Sequence, residues 1–248
     1  GGQTFEEGDE ISVYAWTGDA TIAPDASERV VNNAINKLTN GSWVSTPQML
    51  WKNNRDKHYF IGVYPTAAIS DLSAGEYTFD ANKQTESDLL VAVNPDGLSY
   101  SADAQQTVPL TFTHVMAKLA VNLTYKNQWG GIPTVEKVVV GNAAKEATIN
   151  YLTKVVTPST TAKEDFSLPE ITENTKYVSV IIPQEDVKQL TIVIGGKNFV
   201  YDNGTPFKLE SGKITTVNLE VGRDEIKLGD VKITDWEDGS TFGGEALN

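Results

Sequence analysis

The apolar positions of this chain recur mostly every second residue, in short runs broken by turn residues. That period puts alternate side chains on opposite faces of an extended backbone. Over 10–16, Ile11, Val13 and Ala15 take one face and Tyr14 and Trp16 the other. Residues 58–64 read as a strand that stops at Pro65. Residues 89–93 read as a short apolar strand ending in the turn Asn94-Pro95-Asp96-Gly97. The runs 135–140 and 177–182 are rich in β-branched residues, and Pro183 closes the second. Residues 190–194 and 197–201, joined by Gly195-Gly196, predict a hairpin, because both linking residues tolerate positive φ. Further strands are predicted over 213–221 and 231–236, a turn at Asp202-Asn203-Gly204, and an exposed loop over 157–163.

Two segments carry conflicting periodicities. Over 27–38, Val30, Val31, Ala34, Ile35 and Leu38 have helical spacing, with Asp25 or Ser27 as a cap. Against a helix stand Asn32, Asn33 and Asn36, and the turn signal Asn40-Gly41 before Trp43 and Val44, which favours a strand. In 110–123, Leu110, Phe112, His114 and Met116 share one parity, whereas Ala117, Leu119, Val121 and Leu123 share the other. A change of parity within one run predicts a bulge or bend near Met116 and Ala117, where the chain crosses between sheets. Many short strands with turns between them imply an all-β sandwich or barrel. At 248 residues the chain is too long for one small sandwich. Two tandem β-sandwich domains, 1–108 and 109–248, are therefore expected, divided near Thr107-Val108-Pro109 after the polar stretch 99–106. Helix should make up less than about a tenth of the chain.

Charge narrows the partners. There are 15 acidic against 6 basic residues in 1–108 and 18 against 14 in 109–248, so both parts repel phosphate backbones and nucleic acid is not an expected partner. The absence of cysteine excludes disulfides, thiol catalysis and Cys-ligated metals within these residues. No apolar run approaches the roughly 20 residues of a membrane helix. The start at Gly1-Gly2 instead of Met fits removal of a leading segment, upstream of which a signal peptide or lipid-bearing cysteine could have stood.

The candidate chemistry is sparse. His58 and His114 lie in no metal-ligand spacing, and His114, on the Phe112 parity, reads as a structural residue at the junction. No Gly-x-Ser-x-Gly elbow occurs. The acidic pairs Asp9/Glu10, Glu164/Asp165, Glu185/Asp186, Asp224/Glu225 and Glu237/Asp238 read as solvated loop charges, although a glycosidase would need two such groups ~5–10 Å apart. The run 235–239 lacks the spacing of a calcium loop and reads as an acidic turn. Of five tryptophans, Trp16, Trp43, Trp51 and Trp236 fall in or beside strand-like runs. Trp129, in a Gln-Trp-Gly-Gly loop, is the candidate exposed contact residue. No enzyme activity, cofactor or metal is expected.

The order of segments resembles that of the fimbrillin-like proteins, the type V pilins of Bacteroides-type bacteria. The residues that carry the likeness are Phe5-Glu-Glu-Gly-Asp-Glu-Ile-Ser-Val-Tyr-Ala15, Gly41-Ser-Trp-Val, Leu50-Trp-Lys and Tyr59-Phe-Ile-Gly-Val-Tyr-Pro65. Leu110-Thr-Phe-Thr-His-Val-Met-Ala-Lys-Leu119, Leu209-Glu-Ser-Gly-Lys-Ile-Thr-Thr-Val-Asn-Leu219 and Ile233-Thr-Asp-Trp-Glu-Asp-Gly239 continue it over nearly the whole chain. The resemblance implies two transthyretin-like sandwiches, with 30–38 a strand. It implies export to the outer-membrane surface by an upstream lipid anchor not in this chain, and a structural or adhesive role in fimbriae. Subunits of the family join by giving a strand to a groove of the next subunit, so other pilin subunits are the implied partners. A host or bacterial surface glycan or protein is a further one. In this chain the candidate donor strand is the alternating set Ile226, Leu228, Val231, Ile233 and Trp236. The alternative reading is a carbohydrate-binding surface lipoprotein that does not polymerise.

Overall fold

A computed structural model describes residues 5–100 and 107–237, and the backbone of 241–245. Residues 101–106, within the polar stretch read as a linker, and Asp238 and Gly239 of the acidic turn lie outside the described residues. Strand dominates throughout. The only helices among the described residues are a 3-10 turn at Ala26–Glu28 and the four-residue α1 (Gln84–Ser87). None is long and apolar enough to cross a membrane.

The first half supplies β1 (Glu10–Thr17), β2 (Val31–Thr39), β3 (Ser42–Thr46), β4 (His58–Tyr64), β5 (Gly75–Thr78), β6 (Leu90–Leu98), β7 (Thr107–Thr111) and β8 (Thr113–His114). Six of these form one sheet in the order β3-β2-β1-β4-β6-β8. The segment with helical spacing is β2. Its register against β1 shifts between Val13 and Ala15, where Ala34 and Val31 face them, and Asn33 at φ 54° takes up the extra residue. That bulge puts Val31 and Ala34, three apart, on the same buried face, which is how a strand came to carry helix-like spacing. Asn40 and Gly41, at φ 51° and 78°, make the two-residue turn into β3. The expected turn at 94–97 is a correction. β6 continues through it to Leu98, with Asn94 opposite Phe60 and Leu98 opposite His58, so the turn residues form a wide bulge instead of ending the strand.

The second half supplies β9 (Ala117–Tyr125), β10 (Val135–Ala144), β11 (Glu146–Asn150), β12 (Val155–Pro158), β13 (Lys163–Ser167), β14 (Glu170–Thr172), β15 (Lys176–Ile181), β16 (Gln189–Ile194), β17 (Lys197–Asp202), β18 (Lys213–Val221), β19 (Ile226–Asp235) and β20 (Thr241–Glu245). A five-stranded sheet, β14-β15-β9-β18-β19, shares its core with a four-stranded sheet, β13-β10-β16-β17. Within the first, β9 and β18 run parallel from Ile214 opposite Lys118 to Val221 opposite Tyr125. The β16–β17 hairpin closes on Gly195-Gly196 as predicted. The loop expected over 157–163 is shorter, because Thr157 and Pro158 pair within β12.

Two small sheets lace the halves together. β5 joins β11 and β12 in one, and β20 pairs with β7 in the other. Ile11 to Trp16 of β1 are all buried, so this strand is covered on both faces. One face (Ile11, Val13, Ala15) packs with Phe60, Val108, Leu110 and Phe112. The other (Tyr14, Trp16) continues, with Ile61, Val63, Ile69 and Leu72, into the core of the second half. β7 approaches the sheet so closely that a Cβ on Gly62 would stand 2.5 Å from Phe112 Cζ.

Candidate interaction site

The parity change falls where the chain passes from one core to the other. Leu110 and Phe112 belong to the core under β7, and Val115, Met116, Ala117 and Leu119 to the larger one. Between them β8 pairs with β6, Leu90 opposite His114. His114 is 7% exposed. Its Nδ1 lies 2.7 Å from Asp88 Oδ1 and its Nε2 3.1 Å from the Glu237 carbonyl oxygen. Its ring stacks on Trp236, centroids 3.8 Å apart and planes 13° apart. Lys118 Nζ lies 4.9 Å from the Trp236 ring centroid. Trp236 is buried, and its backbone N–H donates to the Gly212 carbonyl at 2.9 Å. His114, Trp236 and Glu237, with Thr113, Lys154 and Asp235, line a cleft of about 510 Å³.

The candidate donor residues occupy β19 and the residue after it. β19 ends its sheet and pairs antiparallel with β18, Ile226 opposite Val221, Leu228 opposite Leu219, Val231 opposite Val217 and Ile233 opposite Thr215. Residues directly opposite in an antiparallel pair share a face. Those four partners on β18 are buried, so the aliphatic set of β19 turns toward the core side. The core does not reach all of it. Ile226 and Leu228 are half-buried against the core, but Val231 is 39% and Ile233 40% exposed. The strand also carries Lys227, Asp230 and Lys232, charges of the kind that discourage indiscriminate edge pairing. Asp230 accepts from Asn218 Nδ2 at 2.6 Å, and Lys213 pairs with Asp235.

Trp129 stands in the loop between β9 and β10, half-buried and not a free platform. Its Nε1–H donates to the Val221 carbonyl at 3.0 Å, its ring meets Phe199 edge-on, and the Arg223 guanidinium lies 5.0 Å from its centroid. Arg223 Nε–H in turn donates to the Gln128 carbonyl at 2.6 Å, tying this loop to the β18–β19 turn.

His58 is buried, with Nε2 accepting from the Lys52 N–H at 3.0 Å and Nδ1 on the Asp56 carbonyl at 2.9 Å. Burial pushes its pKa below the ordinary value. Among the described residues, carboxyls whose acidity is shifted include Asp19, Asp71, Asp202 and Glu225. The first three are held low by hydrogen bonds in turns and Glu225 by Lys126, the reverse of what a general acid needs. Among the described residues no group of three or more His, Asp or Glu could hold a metal.

Sequence reasoning missed three things. Arg29 is buried and donates to the Ile69 and Ser70 carbonyls and to Asn32 Oδ1, with its guanidinium 5.0 Å from the Tyr14 ring centroid. Gln84 of α1 spans the halves, donating to Ser179 Oγ and accepting from the Val180 N–H, both at 2.8 Å. The return of β20 to β7 has no signal in Thr-Phe-Gly-Gly-Glu, which lacks alternation.

A profile described as fimbrillin-like matches residues 1–236. A search of curated proteins finds no match. Among solved structures, a candidate cell adhesion protein from Bacteroides ovatus superposes with a TM-score of 0.70 at 18% identity, over 95% of this chain and 90% of that one. One from Bacteroides uniformis gives 0.69 at 18% identity, over 95% and 94%. The tip fimbrial protein of Porphyromonas gingivalis, truncated at its C-terminus, gives 0.53 at 12% identity, over 93% and 95%. At these identities the likeness is one of fold.

Proposed function

The chain belongs to the fimbrillin-like family, and on that premise we propose that it is a structural or adhesive subunit of cell-surface fimbriae. The observation that carries the reading is the family match over residues 1–236. A fold shared with a tip fimbrial protein supports it. In this reading the protein works at the cell surface, its partners are other pilin subunits, and its role is mechanical instead of catalytic. The subunit consists of two sandwich units joined around β7 and β8.

The proposed joining reaction is β-augmentation, in which a strand of one subunit completes a sheet of the next. The proposed donor is the segment that carries Ile226, Leu228, Val231, Ile233 and Trp236. Its position at a sheet edge, with Val231 and Ile233 about two-fifths in water, supports the reading. To donate, β19 must exchange nine residue pairings with β18 for equivalent pairings in a neighbour, so ladder hydrogen bonds nearly cancel. The gain lies in the apolar surface still wet. At roughly 1.5–3 kcal/mol for full burial of each side chain, covering the exposed two-fifths of both contributes about 1–2.5 kcal/mol.

The test is electron microscopy of cells expressing full-length protein with charged replacements at Val231 and Ile233, using an antibody to this chain. Fibres should be lost while circular dichroism of the purified variant keeps its β-rich form. Normal fibres from a folded variant would remove the donor assignment. If the unsubstituted protein forms no fibres, the reading gives way to the carbohydrate-binding surface lipoprotein, whose glycan binding should then depend on Trp129.

A further inference from the structure

We propose that the stack of His114 on Trp236 is a latch that keeps the C-terminal strand β20 on β7. The state of this one contact then decides whether the edge of β7 is covered by the chain's own end. The inference concerns docking within one molecule and stands whether or not the subunit polymerises.

β20 needs such a device. Its sheet has two strands and five residue pairs, from Thr241 opposite Thr111 to Glu245 opposite Thr107. A two-stranded ribbon by itself is marginal in water. β7 is fixed to the core through Val108 and Leu110, whereas β20 has, among the described residues, only its pairing with β7 and its contact with β3, so an anchor at its start adds to a small hold. The last described residues before it are Trp236 and Glu237. β19 ends at Asp235, and the chain then leaves the five-stranded sheet.

Three separate segments grip the chain at that exit. Gly212 takes the Trp236 N–H, His114 covers the indole and reaches the Glu237 carbonyl, and Lys118 places its ammonium near the same ring. Asp88, from the turn after α1, fixes the other side of the imidazole. A stacked aromatic pair contributes about 0.5–1.5 kcal/mol beyond burial, and each buried hydrogen bond adds to it. β20 starts five residues beyond Trp236, an extended reach of about 17 Å, so the latch confines the strand to the neighbourhood of β7. His114 sits on β8, just beyond β7 in sequence. The residue that holds the tail is therefore built into the same turn of chain as the edge the tail covers.

The test is hydrogen exchange of the full chain, read by mass spectrometry at β20, β7, β1 and β18. His114→Ala should speed exchange about tenfold at 241–245 and 107–111, with β1 and β18 protected as before. Unchanged exchange at β20 in a folded His114→Ala protein overturns the latch. If that variant loses protection everywhere, Asp88→Asn decides. It removes the carboxylate charge beside the imidazole and leaves the stack in place, and the same two segments should open by a smaller factor. Uniform loss there, or none at β20, also overturns the proposal. A disulfide engineered between Thr111→Cys and Thr241→Cys in the His114→Ala background should restore protection at β20. Failure to do so while the disulfide is formed would show that the loss was not release of the tail.

Discussion

Gly62→Ala adds one carbon where β7 presses on the first sheet. The new Cβ would lie 2.5 Å from Phe112 Cζ, 3.1 Å from its Cε1 and 3.2 Å from Leu110 Cδ1. Carbon atoms pack at about 3.5–4.0 Å, so the ring must retreat by about an ångström. It has little room to do so. Phe112 is 1% exposed, and Phe5 stands edge-on with its centroid 5.1 Å away. Overpacking of this kind costs typically ~1–3 kcal/mol. Replacing a strand glycine returns roughly 0.5–1 kcal/mol of backbone entropy, so a net loss of about 0.5–2 kcal/mol is expected. Urea unfolding should show a lower midpoint at unchanged slope. The stronger measurement is a double-mutant cycle with Phe112→Leu, which removes the ring atoms that collide. Alone, Phe112→Leu opens a cavity and destabilises by part of the roughly 3–5 kcal/mol of a full Phe→Ala truncation. Together the changes should destabilise by at least ~1 kcal/mol less than their sum. Additivity within about 0.5 kcal/mol would mean that the two sites do not touch, and the packing of β7 on β4 would be wrong.

Other expectations follow from the described contacts. His58 has a lowered pKa, so the unfolded chain binds its proton more tightly than the folded one. Its contribution is full above the ordinary pKa of about 6.5 and is lost as pH falls from there toward the folded value. His58→Gln should flatten this part of the stability–pH curve. Gln84→Ala should destabilise by about 1–3 kcal/mol in chemical denaturation, because the Val180 N–H loses its acceptor. A value near zero would remove Gln84 as a tie between the halves. Trp129→Ala should lower thermal stability, since the indole caps Val221 and packs on Phe199. An unchanged melting temperature with lost glycan binding would make it a contact residue after all.

What the sequence disclosed depended on whether a signal was local. Gly195-Gly196 and Asn40-Gly41 carry their turn conformations in their own residue types, and both hairpins stand where expected. The break expected near Met116 and Ala117 was legible in kind, because a change of core forces a change of parity, but the core changes earlier, between Phe112 and Val115. The helical spacing over β2 misled because a bulge adds a residue, and periodicity cannot tell that from a helix. At 94–97 the turn residues were real, but pairing with β4 outvoted them. The site was less legible. β5 reads Gly-Glu-Tyr-Thr, and its place beside β11 comes from a partner some seventy residues away. Trp129 looked exposed because its loop is polar, yet its partners, Val221, Phe199 and Arg223, are distant in sequence.

The parallel pairing of β9 with β18 sets the order in which this molecule can be made. The central strand of the five-stranded sheet pairs early with β15 but meets its second neighbour, β18, only after the chain has been synthesised through Val221. Closing so long a loop carries its entropic cost before any contact returns it, which is the hallmark of slow folding. Until then one edge of β9 is open, and Leu119, Val121 and Leu123 lack the cover that Val217 and Leu219 of β18 give them in the finished core. A nascent chain must therefore spend time with one edge of this strand unpaired, even once β15 has paired along the other. A partner that bound the unfinished chain would relieve this exposure most by covering residues 117–125.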